Sequence, residues 1–214
     1  MSNNESFIDE VTEEVRRDQL YAYFKKYGWI AALVIVGIVG GAAWTEYQKA
    51  SAASAAQAKG DAILAAMEAN DDASRAEALA ALPAGPVTSM LEAASFVDMG
   101  DFDAAKATLQ AVIDDSTIDA VYRDAATYKL ALIEAQDASV EEIKAVLGTL
   151  LNPGHPLRLL AEEQVGLAQV RAGDIEAALT TFAAIVDDAE VSRGLRQRVE
   201  GAIVALGGGD AAAN

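Results

Sequence analysis

MLEAASFVDMGDFDAAKATLQAVI (residues 90–113) and EQVGLAQVRAGDIEAALTTFAAIV (residues 163–186) lie over one another without a gap. Met99-Gly100-Asp101-Phe102 falls on Ala172-Gly173-Asp174-Ile175. A small residue stands seven positions before each glycine, Ala93 and Gly166, and another five after it, Ala105 and Ala178. A larger apolar side chain follows four positions later, Leu109 and Phe182. Such self-similarity at a fixed period is the mark of a repeat architecture. A weaker copy lies between them at residues 128–150, where Ala131, Ala138, Val140, Ile143 and Leu147 take the corresponding places. The turns therefore fall at Gly100, Ala138 and Gly173, with spacings of 38 and 35 residues.

The composition agrees with helices. Of 214 residues 47 are alanine and only 6% are aromatic, while apolar residues reach 52%. Alanine has the highest helix propensity and lets helices approach closely. A sandwich or barrel would need many β-branched and aromatic strands. Turn signals such as Asn70-Asp71-Asp72, Pro83-Ala84-Gly85-Pro86 and Asn152-Pro153-Gly154-His155-Pro156 separate segments of helical length.

These residues resemble the tetratricopeptide repeat, a helix–turn–helix unit of about 34 residues. Small residues sit where its two helices cross, because the pair packs too closely there for a large side chain. Glycine marks the turn. The family's aromatic near the start of the unit is missing, since Ser89 and Glu162 stand there, and so is its closing proline. Residues 50–69 and 74–82 look like a degenerate first pair, and residues 191–206 like the capping helix a solenoid requires. Residues 207–214 read as a disordered tail.

Residues 28–44, GWIAALVIVGIVGGAAW, carry no charge. Seventeen residues in a helix span roughly 25 Å, at the short end of what crosses a bilayer core. Tyr27 and Trp29 stand at one end, Trp44 and Tyr47 at the other, as in the two interfacial aromatic belts. Arg16, Arg17, Lys25 and Lys26 precede the run, and Lys49 is the only nearby cation after it. The positive-inside rule puts the N-terminus in the cytoplasm and the remainder outside, in the periplasm of a Gram-negative cell. A cleaved signal peptide would use Ala50-Ser51-Ala52 or Ala53-Ser54-Ala55, but its charged n-region would be unusually long. A buried soluble helix would have to hide all its faces. Within the run, Gly37 and Gly41 are spaced to let another helix approach closely. Ahead of it, Phe7, Ile8, Val11, Val15, Leu20, Tyr23 and Phe24 recur at helical spacing.

The expected organisation is a cytoplasmic amphipathic helix (residues 1–27), a transmembrane helix (28–45), a periplasmic tetratricopeptide-like domain (46–206) and the tail (207–214). The fold class is all-α, an N-terminal membrane helix followed by an α-solenoid of three to four helix pairs. This layout, with Glu13-Glu14-Val15-Arg16-Arg17 and the lead-in Tyr23-Phe24-Lys25-Lys26-Tyr27-Gly28-Trp29, resembles the YfgM-like family of ancillary SecYEG translocon subunits. The resemblance implies a single-pass inner-membrane protein working beside the translocon with a PpiD-like periplasmic chaperone. Where members of that family often carry Asn-x-Tyr, this chain has Gly85-Pro86-Val87. The rival reading is a periplasmic tetratricopeptide adaptor for envelope assembly or cell division. Either reading permits a homo-oligomer.

Tetratricopeptide arrays bind on the face made by the first helix of each pair. Carried over, that gives Val87, Met90, Ala94 and Val97, then Ala125, Tyr128, Leu132 and Ala135, then Leu160, Glu163, Leu167, Val170 and Arg171. This surface is mostly apolar and lacks the lysine/asparagine cluster of a carboxylate clamp. It would take a segment of another protein or this chain's own helix of residues 46–69.

Catalysis is not expected. The chain has no cysteine and a single histidine, His155, read as a solvated loop residue. Asp114/Asp115 and Asp187/Asp188 sit at helix ends, where caps are the expected role. The one glycine cluster, Gly207-Gly208-Gly209, has no lysine or following helix to make a phosphate loop. No cofactor, metal or small-molecule substrate is implied. A net charge of −17 opposes nucleic-acid binding.

Overall fold

The computed structural model describes residues 3–208, and these residues contain helices and no strand. The helices are α1 (Asn3–Met67), α2 (Asp72–Ala80), α3 (Pro86–Asp98), α4 (Phe102–Asp114), α5 (Ala120–Glu134), α6 (Val140–Leu147), α7 (Arg158–Arg171), α8 (Ile175–Asp187) and α9 (Arg193–Ala205). A short 3-10 turn, Gly148–Leu151, follows α6. The chain divides into two compact units, Met1–Asp61 and Ala62–Asn214.

The first unit is the greater part of α1. The helix runs without a break through positions 27/28 and 45/46, where sequence suggested segment boundaries. Nothing between Tyr27 and Met67 forbids this, because the stretch holds no proline and alanine dominates its second half. Part of α1 is long and apolar enough to cross a membrane, and none of that apolar stretch is buried. The apolar positions expected at Phe7, Ile8, Val11, Val15, Leu20, Tyr23 and Phe24 have side chains outside the described ones.

The second unit begins at Ala62. The last turns of α1 bury Ala66 and half-bury Ala62 and Ile63. α2 packs along α3, and α3–α4, α5–α6 and α7–α8 form three helical hairpins, with α9 laid on α8. The first and third hairpins close with one device. Gly100 and Gly173 adopt φ of 76° and 79°. Asp101 N–H then reaches back to Phe96 O (2.8 Å) and Asp174 N–H to Gln169 O (2.9 Å), satisfying carbonyls that a helix end leaves open. Each aspartate also caps the next helix, Asp101 accepting from Ala104 N and Asp174 from Ala177 N, both at 3.1 Å. The middle hairpin has no such glycine. It starts α6 with a capping box, in which Ser139 N–H donates to Glu142 Oε2 (2.8 Å) and Glu142 N–H to Ser139 Oγ (3.3 Å). Different turn chemistry at the same place in the repeat is why the middle copy reads weakly in sequence.

The left-handed turn gives a first prediction. Gly173→Ala should cost about 1 kcal/mol, because a Cβ is disfavoured at that φ whatever the space around it. A thermal melt of the full chain in mild detergent, followed by far-ultraviolet circular dichroism, measures it; an unchanged midpoint would refute the assignment of strain.

Burial follows the repeats. One cluster joins Ala93, Ala105, Leu109 and Val112 to Ala126 and Leu130 of α5. A second joins the other side of α5, Ala131 and Ala135, through Ile143, Leu147 and Leu150 to Ala161, Val165 and Ala168 of α7. A third holds Leu159, Ala178, Phe182, Ile185, Leu195 and Val199. The small residues at the helix crossings are tightly enclosed, with Ala105, Ala131 and Ala178 all at 0% exposure. At Gly166 the reason is explicit: a Cβ there would lie 2.4 Å from Cε1 of Phe182.

At the chain's end, Gly207 (φ 84°) donates to Val204 O at 3.1 Å, and Gly208 lies close against Leu179 and Ile203. Of the expected disordered tail, Gly207 is thus hydrogen-bonded but exposed and Gly208 is packed, and residues 209–214 lie outside the described ones.

Candidate functional site

The first helices of the hairpins, α3, α5 and α7, contact one another in sequence along one side of the second unit. Two cavities open between them, separated by α5. The first has a volume of about 220 Å³ and is lined by Met90, Ala93, Ala94 and Val97 of α3, Leu109 of α4, and Lys129, Leu132 and Ile133 of α5, with Asp98 beside them. Of its lining residues Ala93 and Leu109 are buried. The second, of about 480 Å³, lies where α5, α7, α8 and α9 meet. Tyr128, Glu163, Gln164, Leu167, Phe182, Arg198, Val199 and Ala202 line it.

Of the residues expected from sequence, Met90, Ala94, Val97 and Leu132 come together in the first cavity, and Tyr128, Glu163 and Leu167 in the second. Val87 is exposed beside neither. Leu160 and Val170 instead pack against the third buried cluster, and Arg171 is exposed at the end of α7. Of the helix suggested as an internal occupant, the part in this unit, residues 62–67, lines neither cavity.

In the second cavity polar groups join the mostly apolar surface expected from sequence. Arg198 of α9 forks onto Glu163 of α7, Nε to Oε1 at 2.9 Å and Nη2 to Oε2 at 2.8 Å. Glu163 is only 7% exposed, so its charge is held by this pair. Gln164, equally buried, donates from Nε2 to Tyr128 Oη at 3.4 Å. Burial, and then the nearby Glu163 charge, push the Tyr128 phenol above its ordinary value of 10.0. It therefore keeps its proton at neutral pH and can donate it. Sequence reasoning placed α9 as a cap alone, and so missed Arg198, Val199 and Ala202.

Two further pairs brace the same hairpins. His155 is not a solvated loop residue. Its Nδ1 accepts from Leu157 N–H at 3.1 Å, which leaves Nε2 to donate to Asp124 of α5 at 3.2 Å. Arg158 bridges Glu162 (2.8 Å) and Asp188 (2.6 Å), tying the start of α7 to the end of α8. Its guanidinium is held more firmly protonated by Asp188 and then Glu162.

The carboxylates at helix ends act as local acceptors. Asp71, Asp115, Asp188 and Glu142 are all held below their ordinary values by hydrogen bonds, chiefly from Ser74, Thr117, Arg158 and Ser139 in turn. A depressed folded-state value contributes stability above the unfolded value and loses it as pH falls through the folded one. Glu92, raised by burial, acts in the opposite sense. With four groups against one, the melting temperature should hold steady down to about pH 5 and fall below about pH 4. A pH series of thermal melts checks it, and a rise in stability below that point would contradict the balance of signs.

In the first unit, Trp29, Trp44 and Tyr47 are well exposed, and the Trp44 and Tyr47 rings lie 6.4 Å apart, tilted. Lys26 Nζ sits 5.5 Å from the Tyr27 ring centroid, and Lys25 is exposed beside it. Gly37 and Gly41 have nothing within 4 Å of where a Cβ would stand.

A family model described as a tetratricopeptide repeat-like domain matches residues 21–208. That match takes in the aromatic–basic lead-in and the apolar run as well as every helix of the second unit. No curated protein and no solved structure matches the chain.

Proposed function

Because the chain belongs to the tetratricopeptide repeat-like domain family, we propose that it is a membrane-anchored, non-catalytic scaffold whose repeat unit holds a segment of another protein. Repeat domains of this kind are protein-interaction modules, built from units that stack into an extended binding surface. The observation that carries the reading is the row α3–α5–α7, which presents two open cavities on the side where such arrays take their ligands. The apolar stretch of α1, with its flanking lysines and aromatic rings, supports anchoring.

The finer reading rests on resemblance. Residues 13–17 and the lead-in that follows them support an ancillary subunit of the SecYEG translocon, single-pass in the inner membrane, with the N-terminus cytoplasmic and the repeat unit periplasmic. There it works with a PpiD-like chaperone to receive emerging proteins. Gly37 and Gly41 form the face that meets a neighbouring membrane helix.

Photocrosslinking in cells tests this, with probes at Ile38, Gly41, Tyr128 and Leu167 and products identified by mass spectrometry. Translocon subunits at the membrane probes and a chaperone or client at the cavity probes are the expected result. Products confined to envelope-assembly or division proteins would move the function to a periplasmic adaptor.

A further inference from the structure

The protein carries a net charge of −17, yet a cation lines each cavity, Lys129 with Asp98 in the first and Arg198 with Glu163 in the second. Lys129 lines the first, is exposed, and makes no ion pair among the described residues. Arg198 lines the second. A guanidinium has five N–H donors, and Glu163 takes those on Nε and one on Nη2. Among the described residues no group accepts from Nη1. Glu163 therefore works as a brace, fixing the guanidinium plane while leaving its other edge to a ligand. Tyr128 adds a phenolic O–H from the neighbouring ridge, since the bond from Gln164 uses only its oxygen. The second cavity is thus richer in donors than in acceptors. Apart from Lys129 and from Asp98, which Arg75 approaches to 3.6 Å, the first is lined by hydrocarbon, at a volume that suits one large aliphatic side chain.

Only α5 separates the two cavities. Tyr128 faces one, and its sequence neighbour Lys129 faces the other. A short segment crossing that ridge meets both. We propose that the two cavities together read an acidic–apolar peptide segment: an aliphatic side chain enters the first, and carboxylates are taken by Lys129 and by the free edge of Arg198 at the second. Carboxylate suits these donors better than a neutral carbonyl, because charge-assisted hydrogen bonds are about twice as strong. In a chain whose overall field repels acidic peptides, such selection comes from local contacts alone. The proposal rests on the scaffold reading and names the class of segment the scaffold holds.

The test uses the full chain in mild detergent and three fluorescein-labelled peptides read by anisotropy. One is built of paired leucine and glutamate, the second has lysine for glutamate, and the third has serine for leucine. The first should bind at least about tenfold more tightly than either of the others. Lys129→Gln, at an exposed and unpaired position, should weaken it about threefold and reduce its salt sensitivity. The double variant Glu163→Gln/Arg198→Gln, which leaves no buried charge unpaired, should weaken it about tenfold. Equal or tighter binding of the lysine peptide, insensitivity to both variants, or no binding of any peptide would overturn the proposal. Crosslinks to other proteins at Tyr128 and Leu167 would then leave the scaffold reading standing; their absence would remove both.

Discussion

Replacing Gly166 with alanine is expected to destabilise the repeat unit by about 2 kcal/mol, the cost of overpacking a filled core. The new methyl group would stand 2.4 Å from Cε1 of Phe182 and 2.9 Å from Cδ1 and Cζ. Phe182 is fully buried and packed within the third cluster, so a shift of its ring disturbs that packing. Helix propensity pulls the other way, since alanine inside a helix gains up to about 1 kcal/mol over glycine. Gly201→Ala isolates that second effect, because Gly201 lies within α9 with nothing within 4 Å. The two substitutions should therefore move the thermal midpoint in opposite directions. Phe182→Leu in the Gly166→Ala background should recover part of the loss by shortening the side chain. Equal midpoints for the two glycine variants would show that the helix crossing is looser than described.

The second large effect is expected at the braced ion pair. Arg198→Ala leaves the Glu163 carboxylate without its partner, its side chain only 10% exposed. Breaking a fully buried pair in this way costs about 3–5 kcal/mol. The Arg198 side chain is itself 55% exposed, so water reaches the site when it is removed, and about 2 kcal/mol is the fair expectation. Glu163→Gln/Arg198→Ala should be clearly more stable than Arg198→Ala alone, because the amide carries no charge to strand. A double variant no better than the single one would mean that Arg198 stabilises α9 through its packing rather than its charge.

Local constraints made the repeats readable. Gly100 and Gly173 sit where the backbone turns left-handed, and Ala93, Ala105, Gly166 and Ala178 where two helices touch. Each such position restricts residue type by itself, so the pattern survives in a single sequence. The second cavity was not readable in the same way. Its character comes from Glu163 meeting Arg198 across 35 positions, and charged residues on helices carry no mark of whom they will meet. His155 and Asp124, 31 positions apart, were hidden for the same reason. The unbroken course of α1 had a signal in the absence of proline, but a change of polarity at residue 45 has no counterpart in the backbone.

The division of the interior into three small clusters, joined through opposite sides of α5 and α7, bears on how the protein answers to force. A molecule with one central core yields all at once. Here a pull on the N-terminal end is felt first by α2 and α3, and their release exposes one cluster while the next two stay shut. Extension would proceed hairpin by hairpin, each step recoverable because its neighbour remains as a template. Such an array would yield to load in steps rather than in a single event.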